Sequence, residues 1–221
     1  MNIRRLMSAA LLPLVCCVAF AQQRSGHNIP EDVFYLMPSF GNGMVYFASQ
    51  PPAQGRLNIC AVDNTLRFLD HTDKELEAPV DADIVRVRID SVVFLRSQGI
   101  FYRQYPLTEG AGIALRRDVE IIWDTKQGAY GTTSRTSAIR EYGSIYADGI
   151  SYNLNKDKEY PYRSQESLFL YKGDEVFPFN KRNIRRLFPG RKDAIDAYFK
   201  SGGNLPAGLE EARELLSRWA D

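Results

Sequence analysis

A tyrosine-rich segment is the part of this sequence whose residue types most suggest binding chemistry. Residues 125–164 are polar and glycine-rich, and they contain six of the protein's 12 tyrosines: Tyr130, Tyr142, Tyr146, Tyr152, Tyr160 and Tyr162. Aromatic rings that carry hydroxyls can stack on sugar rings or contact a protein at modest cost in conformational entropy. We therefore treat the six tyrosines as candidate ligand-binding residues for a glycan or a protein. The alternative is that they only hold a long loop against a sheet.

A basic run near the C-terminus is the second candidate site. Six of the thirteen residues from 180 to 192 are Lys or Arg, and none is acidic. The spacing of Ile184, Leu187 and Phe188 after a potential N-cap at Asn180 predicts a helix with one apolar side. The other side carries four candidate contacts with an anionic surface: Lys181, Arg182, Arg185 and Arg186. Two alternatives are a purely solvated helix face and a nucleic-acid site.

Residues suited to catalysis are sparse. The two histidines are His27, in a polar N-terminal stretch, and His71, in a polar turn, and no G-x-S-x-G motif accompanies them. Asp81 and Asp83 could bind a divalent cation, but their position just before a strand is explained by turn chemistry. The chain lacks paired Cys or His at zinc-ligand spacing and lacks phosphate-binding glycine motifs. We therefore expect no metal, no cofactor and no identifiable catalytic residue. A hydrolase with scattered carboxylates stays an alternative.

The N-terminus has the pattern of a secretory signal peptide. Arg4 and Arg5 are followed by an apolar run from residue 6 to residue 20 and by a small-x-small cleavage site that ends at Ala21. The run is shorter than the roughly 20 residues that span a bilayer. We therefore predict that residues 1–21 are removed and that the protein is exported, to the periplasm or the outer membrane.

Export constrains the remaining chain. The residues before Cys16 and Cys17 are not the small residues that a lipid-attachment signal requires, so we expect no lipid anchor. Loss of Arg4 and Arg5 from the 28 basic residues leaves 26 against 27 acidic residues, a net charge of −1. This balance offers no general attraction for nucleic acid, and no further segment could cross a membrane. Cys60 then has no cysteine to pair with, and its strand-like surroundings predict a small buried residue.

The elements that must position these candidates are mostly strands. A polar and flexible lead-in, residues 22–32, is expected before a β-rich region, residues 33–178, in which short runs rich in Val, Ile, Phe and Tyr alternate at period two. Glycine, asparagine and aspartate turns separate the runs. Because such short connections cannot join parallel strands, we predict an antiparallel meander, sandwich or barrel-like sheet. The tyrosine-rich segment interrupts it as a long loop.

The C-terminal part of the chain, residues 179–221, is predicted to be helical. Apolar residues recur at helical spacing in three short stretches, and glycine or proline ends the first two. Their apolar faces must be buried against each other or against the sheet. The predicted class is therefore α+β, with a mainly antiparallel sheet followed by a short C-terminal helical segment.

Three phrases of the chain carry a resemblance to a known group of proteins. They are RLNICAVDNTLRFLD at residues 56–70, GAYGTTSRTSAI at residues 128–139 and FNKRNIRRLFPGRKDAIDAYFK at residues 179–200, within the span 43–200. They resemble an uncharacterised family of exported envelope proteins from Bacteroidetes-type Gram-negative bacteria. The resemblance implies an envelope location and a β region that is followed by helices, and it brings no activity and no catalytic residues.

These observations predict a non-enzymatic exported binding or interaction module. Its partner would be a glycan or an envelope protein, contacted through the tyrosine-rich segment, and nucleic acid is not expected. The alternatives are an envelope hydrolase that uses carboxylates and a structural or assembly factor held by the C-terminal helices.

Overall fold

The computed structural model confirms a mainly antiparallel α+β fold. It describes residues 29–79, 82–122, 144–147, 150–153 and 160–220. The predicted signal peptide, residues 1–21, lies outside this part of the chain. Within the described residues, no helix combines the length and the apolar character needed to cross a membrane.

Ten strands form one large open sheet in which every neighbouring pair is antiparallel. In chain order the strands are β1 (Gly41–Phe47), β2 (Ala53–Ile59), β3 (Leu66–Leu69), β4 (Glu75–Glu77), β5 (Ile84–Ile89), β6 (Val92–Ser97), β7 (Ile100–Thr108), β8 (Ala111–Ile121), β9 (Ser144–Ala147), β10 (Ile150–Asn153), β11 (Tyr162–Lys172) and β12 (Glu175–Pro178). Their order across the large sheet is β12-β11-β8-β7-β6-β5-β1-β2-β3-β4. β9 and β10 pair with each other in a separate two-stranded sheet.

Tight turns explain why strands that are consecutive in sequence become neighbours in the sheet. Gln98 and Gly99 join β6 to β7, and both have positive φ angles, 52° and 79°. This is the backbone of a type I′ hairpin, whose twist matches that of the flanking strands. Gly173, with φ 61°, begins the turn from β11 to β12. The predicted meander is thus present over β5–β8.

Apolar clusters lie on both faces of the large sheet, because successive side chains of a strand point to opposite sides. Phe94 and Phe101 point into a cluster that β1, β2, β3 and β5 complete: Val45, Leu57, Ile59, Leu66, Ile84, Val87 and Ile89. Their chain neighbours Leu95 and Tyr102 point to the other side, where they meet Ala114 and Tyr171. Strands β6 and β7 are therefore buried on both faces.

The sheet curls far enough to bring distant strands into contact. The turn between β2 and β3 reaches β7, where the Phe101 amide N–H donates to Asn64 Oδ1 over 3.5 Å. The turn between β11 and β12 reaches β5, where Arg86 forms an ion pair with Asp174. These two contacts therefore join strands that are not neighbours in the sheet.

The described residues form four α-helices: α1 (Glu31–Phe34), α2 (Lys181–Leu187), α3 (Lys192–Lys200) and α4 (Leu209–Ala220). Asn180 caps α2 as predicted, because its Oδ1 accepts a hydrogen bond from the Asn183 amide over 2.9 Å. The last three helices share one buried cluster with β8, β11 and β12, formed by Ala111, Ile113, Leu170, Phe177, Ile184, Leu187, Phe188, Ile195, Ala212, Leu215, Leu216 and Trp219. The helical segment is therefore packed on the sheet.

Residues 29–32, the described part of the predicted lead-in, are packed in the fold. Ile29 is buried and α1 starts at Glu31, although both lie in residues 22–32, the predicted flexible lead-in. The segment forms a cluster with the ends of two strands, made of Ile29, Phe34, Tyr35, Cys60 and Ile121. Burial of these side chains orders a stretch that its polar composition alone would leave exposed. Cys60 is buried, as predicted.

Two regions that were predicted as turn or loop contain strand. β4 overlaps the polar stretch DHTDKE, because Leu69 and Arg67 of β3 pair with Glu75 and Glu77. The predicted loop, residues 125–164, contains β9, β10 and the first three residues of β11. Polar residues form strands in these places because neighbouring strands supply a ladder of hydrogen-bond partners, an effect that outweighs intrinsic propensity.

Candidate interaction surface

Tyr160 and Tyr162 are the predicted ligand-binding tyrosines whose side chains the structure describes. Tyr160 is half-buried and packs against the cluster that contains Ile121. Tyr162 is the first residue of β11, pairs with Ile121 across the sheet and remains 39% exposed. Tyr162 is therefore accessible to a partner, whereas Tyr160 has the packing role that was the alternative.

For the other four predicted tyrosines, the structure gives at most a position in a strand. Tyr146 lies in β9 opposite Ser151, and Tyr152 lies in β10 opposite Ile145, so the two tyrosines are not paired with each other. Tyr130 and Tyr142 lie outside the described residues. A common surface formed by all six tyrosines stays a prediction.

An exposed sheet edge begins at Tyr162. β11 pairs with β8 along its whole length, from Tyr162 to Lys172. On its other side β12 pairs only with the C-terminal end of β11, starting at Phe169 opposite Pro178. Among the described residues, no strand pairs with residues 162–168 on that side. We call this stretch the β11 edge.

The backbone groups that point out of the β11 edge follow from the hydrogen bonds at its two ends. The Gly173 N–H donates to the Gly110 oxygen over 2.7 Å, and the Ile122 N–H donates to the Pro161 oxygen over 2.8 Å. Odd-numbered residues therefore bond towards β8. Because the direction alternates along an antiparallel strand, the even-numbered residues point their N–H and C=O groups outward. These residues are Tyr162, Ser164, Glu166 and Leu168.

The β11 edge is polar and open to solvent. Residues 162–166 are all exposed, and in order they are tyrosine, arginine, serine, glutamine and glutamate. Glu166 lies 3.5 Å from the Arg117 guanidinium on β8. A long sheet edge with free hydrogen-bonding groups is a template for an added strand, which many proteins either block or use for binding.

The opposite edge of the sheet is protected in the usual ways. β4 has only three residues, two of which are glutamates, and Pro79 follows shortly after it. Short length, charge and proline all hinder the addition of a further strand. The two edges of the sheet therefore differ, and the β11 edge is the one suited to binding.

The predicted basic face of α2 is largely engaged within the protein. Lys181 lies 2.8 Å from Asp196 on α3, and Arg185 forms an ion pair with the same carboxylate. Arg186 lies 2.7 Å from Glu175 on β12, and its guanidinium covers the ring of Phe177.

The remaining predicted cation of α2 is exposed. Arg182 is exposed and forms no ion pair with any residue that the structure describes. The ion pairs of Lys181, Arg185 and Arg186 join α2 to α3 and β12, so these three cations have partners within the fold, which neither a purely solvated face nor a nucleic-acid site would require. Binding of these residues to an anionic surface stays a prediction.

The ion pairs of Asp196 predict a specific pH dependence of stability. Hydrogen bonds from Arg185 and then Lys181 hold the pKa of Asp196 below its usual value. A depressed folded-state pKa contributes stability above the unfolded pKa, about 3.9, and that contribution is lost as the pH falls through the folded pKa. We expect Asp196→Asn to be less stable at pH 7 and to lose less stability on acidification than the wild-type protein.

Urea unfolding of both proteins from pH 7 to pH 2 measures this difference. Asp193→Asn, on the same helix and exposed, is the matched control and should follow the wild-type curve more closely. If the free energy of unfolding changed with pH in the same way for wild-type and Asp196→Asn, the lowered pKa of Asp196 would be contradicted.

A buried polar cluster around Arg67 was not identified in the sequence. Arg67 Nη2 lies 2.6 Å from Asp63 Oδ2, and Arg67 Nε donates to Thr65 Oγ1 over 2.9 Å. Asp63 in turn accepts hydrogen bonds from the Thr65 amide and hydroxyl, at 3.0 Å and 2.5 Å. The side chains of Arg67 and Asp63 are only 8% and 0% exposed. Asp63 and Thr65 lie in the turn before β3, where Asn64 has a positive φ angle of 54°, so strand periodicity gave no signal that links them to Arg67.

Two glutamates of β4 complete this cluster. Arg67 Nη1 lies 3.1 Å from Glu77 Oε2 and 4.0 Å from Glu75 Oε1. The Tyr35 hydroxyl donates to Glu75 Oε2 over 2.8 Å. Burial raises the pKa of Glu77 against the opposing effect of Arg67, and burial followed by the charge of Glu75 raises the pKa of Tyr35. The cluster ties β3, β4 and the N-terminal segment together, which is a structural role.

The acidic and histidine candidates have structural environments. Asp83 accepts hydrogen bonds from the Ser49 amide, at 2.9 Å, and from the Ser49 hydroxyl. His71 lies exposed in a turn that Asp70 organises by accepting from the amide and hydroxyl of Thr72, each at 2.7 Å. Asp81 and His27 lie outside the described residues. In the parts of the chain that the structure describes, no group of three or more His, Cys, Asp or Glu could hold a metal ion.

A small pocket of about 130 Å³ lies beside the Arg67 cluster. Its lining includes Asp63, Asn64 and Leu66 together with Arg96 and Gly99. Arg96 donates to the Ala82 oxygen over 2.6 Å. Burial lowers the pKa of Arg96. These contacts tie β6 to the chain before β5.

Comparisons with protein-family models, with curated proteins and with solved structures found no match. The resemblance to exported envelope proteins therefore stays a prediction. The geometry of the β11 edge is what supports an assignment of function.

Proposed function

We propose that this protein is an exported, non-enzymatic interaction module of the cell envelope. It binds another polypeptide as an extra β-strand along the β11 edge. The observation that carries the proposal is the stretch of residues 162–168, which pairs with β8 on one side and has no partner strand on the other among the described residues. Its outward N–H and C=O groups supply the hydrogen bonds of a further strand.

The type of partner follows from the chemistry of this edge. A row of alternating backbone donors and acceptors matches the backbone of an extended polypeptide, and main-chain hydrogen bonds then supply affinity. Side chains beside the row supply specificity, and here they are those of Tyr162, Arg163 and Glu166. A glycan presents no such regular row, so an envelope protein is the preferred partner.

The proposed location rests on the N-terminal sequence. A basic start, an apolar run of residues 6–20 and a small residue at position 21 form the order of a secretory signal. Cleavage after Ala21 would leave a mature chain that begins at Gln22. Edman or mass-spectrometric analysis of the N-terminus of the protein from the envelope fraction would check this site.

Site-specific photocrosslinking in living cells tests the binding role. A photoreactive phenylalanine derivative in place of Tyr162 should give a covalent adduct with a polypeptide in the envelope fraction after illumination. Ser164→Pro in the same chain should abolish the adduct, because proline removes the outward N–H and places its ring on the edge. Ser164→Ala, which keeps that N–H, is the matched control and should retain the adduct.

The same experiment separates the binding edge from the rest of the surface. The photoreactive residue in place of Leu205, an exposed position between α3 and α4, should give no such adduct. Absence of any adduct from Tyr162, or an adduct that persists in Ser164→Pro, would overturn the proposal.

A further inference from the structure

We propose that the polypeptide that occupies the β11 edge is a second copy of this chain, which forms a two-fold dimer. This inference rests on the proposed function, since it names the occupant of the same edge. The two β11 strands pair antiparallel and join two large sheets into one continuous sheet. The geometry and the charges of the edge permit few pairing registers.

The alternation of backbone directions restricts the register. Hydrogen bonds across the dimer can form only between residues that point outward, and on this edge those are the even-numbered residues. Even-numbered residues must therefore lie opposite even-numbered residues. In each such register one residue lies opposite the same residue of the second copy, and the two-fold axis passes between them. The central positions of the edge, which can take this place, are Arg163, Ser164, Gln165 and Glu166.

Charge excludes two of these four registers. An axis through Arg163 places two arginines directly opposite each other, and an axis through Glu166 does the same with two glutamates. Like charges at directly opposed positions destabilise a pair of strands. An axis through Ser164 or Gln165 places no like charges directly opposite each other.

The position of β12 excludes the register centred on Gln165. In that register Pro161 of the second copy lies opposite Phe169, a place that Pro178 of β12 already occupies. Pro161 cannot turn away before this point, because its carbonyl still accepts from Ile122 in continuation of the β8 ladder. An axis through Ser164 moves Pro161 of the second copy opposite Ser167, clear of β12. The register centred on Ser164 is therefore the one that the edge accommodates.

This register gives complementary side-chain pairs. Ser164 lies opposite Ser164 of the second copy, Arg163 lies opposite Gln165, and Tyr162 lies opposite Glu166. The phenol of Tyr162 can donate to the carboxylate of Glu166, and the guanidinium of Arg163 can donate to the amide oxygen of Gln165. The edge is thus complementary to itself, as a two-fold interface requires.

Cysteine crosslinking tests the register. Ser164→Cys should form a disulfide-linked dimer on mild oxidation, because opposed Cα atoms in an antiparallel pair lie about 5.5 Å apart, within disulfide range. Arg163→Cys, Gln165→Cys and Glu166→Cys should crosslink poorly, because each lies opposite a different residue in the second copy. The wild-type chain, in which Cys60 is buried, is the background control. Preferred crosslinking at position 163, 165 or 166 would overturn this register.

Sedimentation equilibrium tests the dimer itself. The wild-type chain and Ser164→Ala should sediment with twice the monomer mass. Ser164→Pro should weaken association about a hundredfold, because two-fold symmetry removes two hydrogen bonds and each is worth about a factor of ten. A wild-type chain that remains monomeric at tens of micromolar would overturn the inference.

Photocrosslinking from Tyr162 distinguishes this failure from failure of the proposed function. An adduct that contains two copies of this chain supports both. An adduct with a different protein alone overturns the dimer and leaves the binding role in place. Absence of an adduct overturns both.

Discussion

Replacement of Arg67 by methionine should lower the free energy of unfolding by about 3–5 kcal/mol. The methionine can fill the space of the aliphatic stem, but it leaves the carboxylate of Asp63, which is fully buried, without its guanidinium partner at 2.6 Å. An uncompensated buried charge is among the costliest defects in a folded protein. Loss of the same guanidinium also leaves Glu77 without its 3.1 Å contact and loosens β4.

Urea unfolding followed by circular dichroism measures this effect. The matched control is Arg56→Met, because Arg56 also pairs with an aspartate at 2.6 Å, Asp73, but both side chains are more than half exposed. An exposed pair contributes at most about 1 kcal/mol, so this control should change little. Equal effects of the two substitutions would show that burial of the Arg67 cluster does not determine its energetic role.

Replacement of Leu216 by alanine should lower the free energy of unfolding by about 2–5 kcal/mol. Leu216 on α4 is fully buried in the cluster that the last three helices share with β8, β11 and β12. Removal of three buried carbon atoms loses transfer free energy and leaves a cavity. Because the cluster joins helices and sheet, we expect one cooperative transition at a lower urea concentration.

Leu205→Ala is the control for this prediction, since Leu205 is 45% exposed and its loss should cost about 0.5 kcal/mol or less. Fluorescence of the tryptophans, including Trp219 on α4, and far-ultraviolet circular dichroism should report the same midpoint in each protein. A separate early transition in the fluorescence of Leu216→Ala would contradict the view that α4 and the sheet unfold together.

The local features of this fold could be predicted from the sequence because they depend on near neighbours. Alternating residues such as Val85, Val87 and Ile89 specify a half-buried strand at period two. Gly99 and Gly173 supply the left-handed backbone that hairpins need, and Asn180 supplies a cap for α2. These effects predict strands, turns, the C-terminal helices and hence the fold class.

The formation of β4 and the burial of Ile29 could not be predicted from the sequence, because both depend on contacts between distant parts of the chain. The polar sequence of β4 predicts a turn. The short strand nevertheless forms against β3, where the carboxylate of Glu77 accepts a hydrogen bond from Arg67, ten residues away in sequence. Ile29 lies in a polar stretch and is buried only because Cys60 and Ile121 come together beneath it. Propensity at one position contains no information on such partners.

The basic residues of α2 also combine a local feature, which the sequence predicts, with long-range contacts, which it does not. The sequence determined that Lys181, Arg185 and Arg186 lie on the polar side of a helix, because helical periodicity is local. Only the tertiary structure decided that they pair with Asp196 and Glu175, since those carboxylates reach α2 through the packing of α3 and β12.

The tyrosine-rich segment marked the region of the proposed binding edge without identifying its chemistry. Tyr162 is recognisable from the sequence as an aromatic residue beside polar ones. The backbone after Tyr162 forms an edge without a second partner strand among the described residues. The reason is that β11 pairs with β8 along its whole length but with β12 only from Phe169 onward. Strand pairing is a long-range property, so only the tertiary structure reveals which hydrogen-bonding groups of the described chain remain available to a partner.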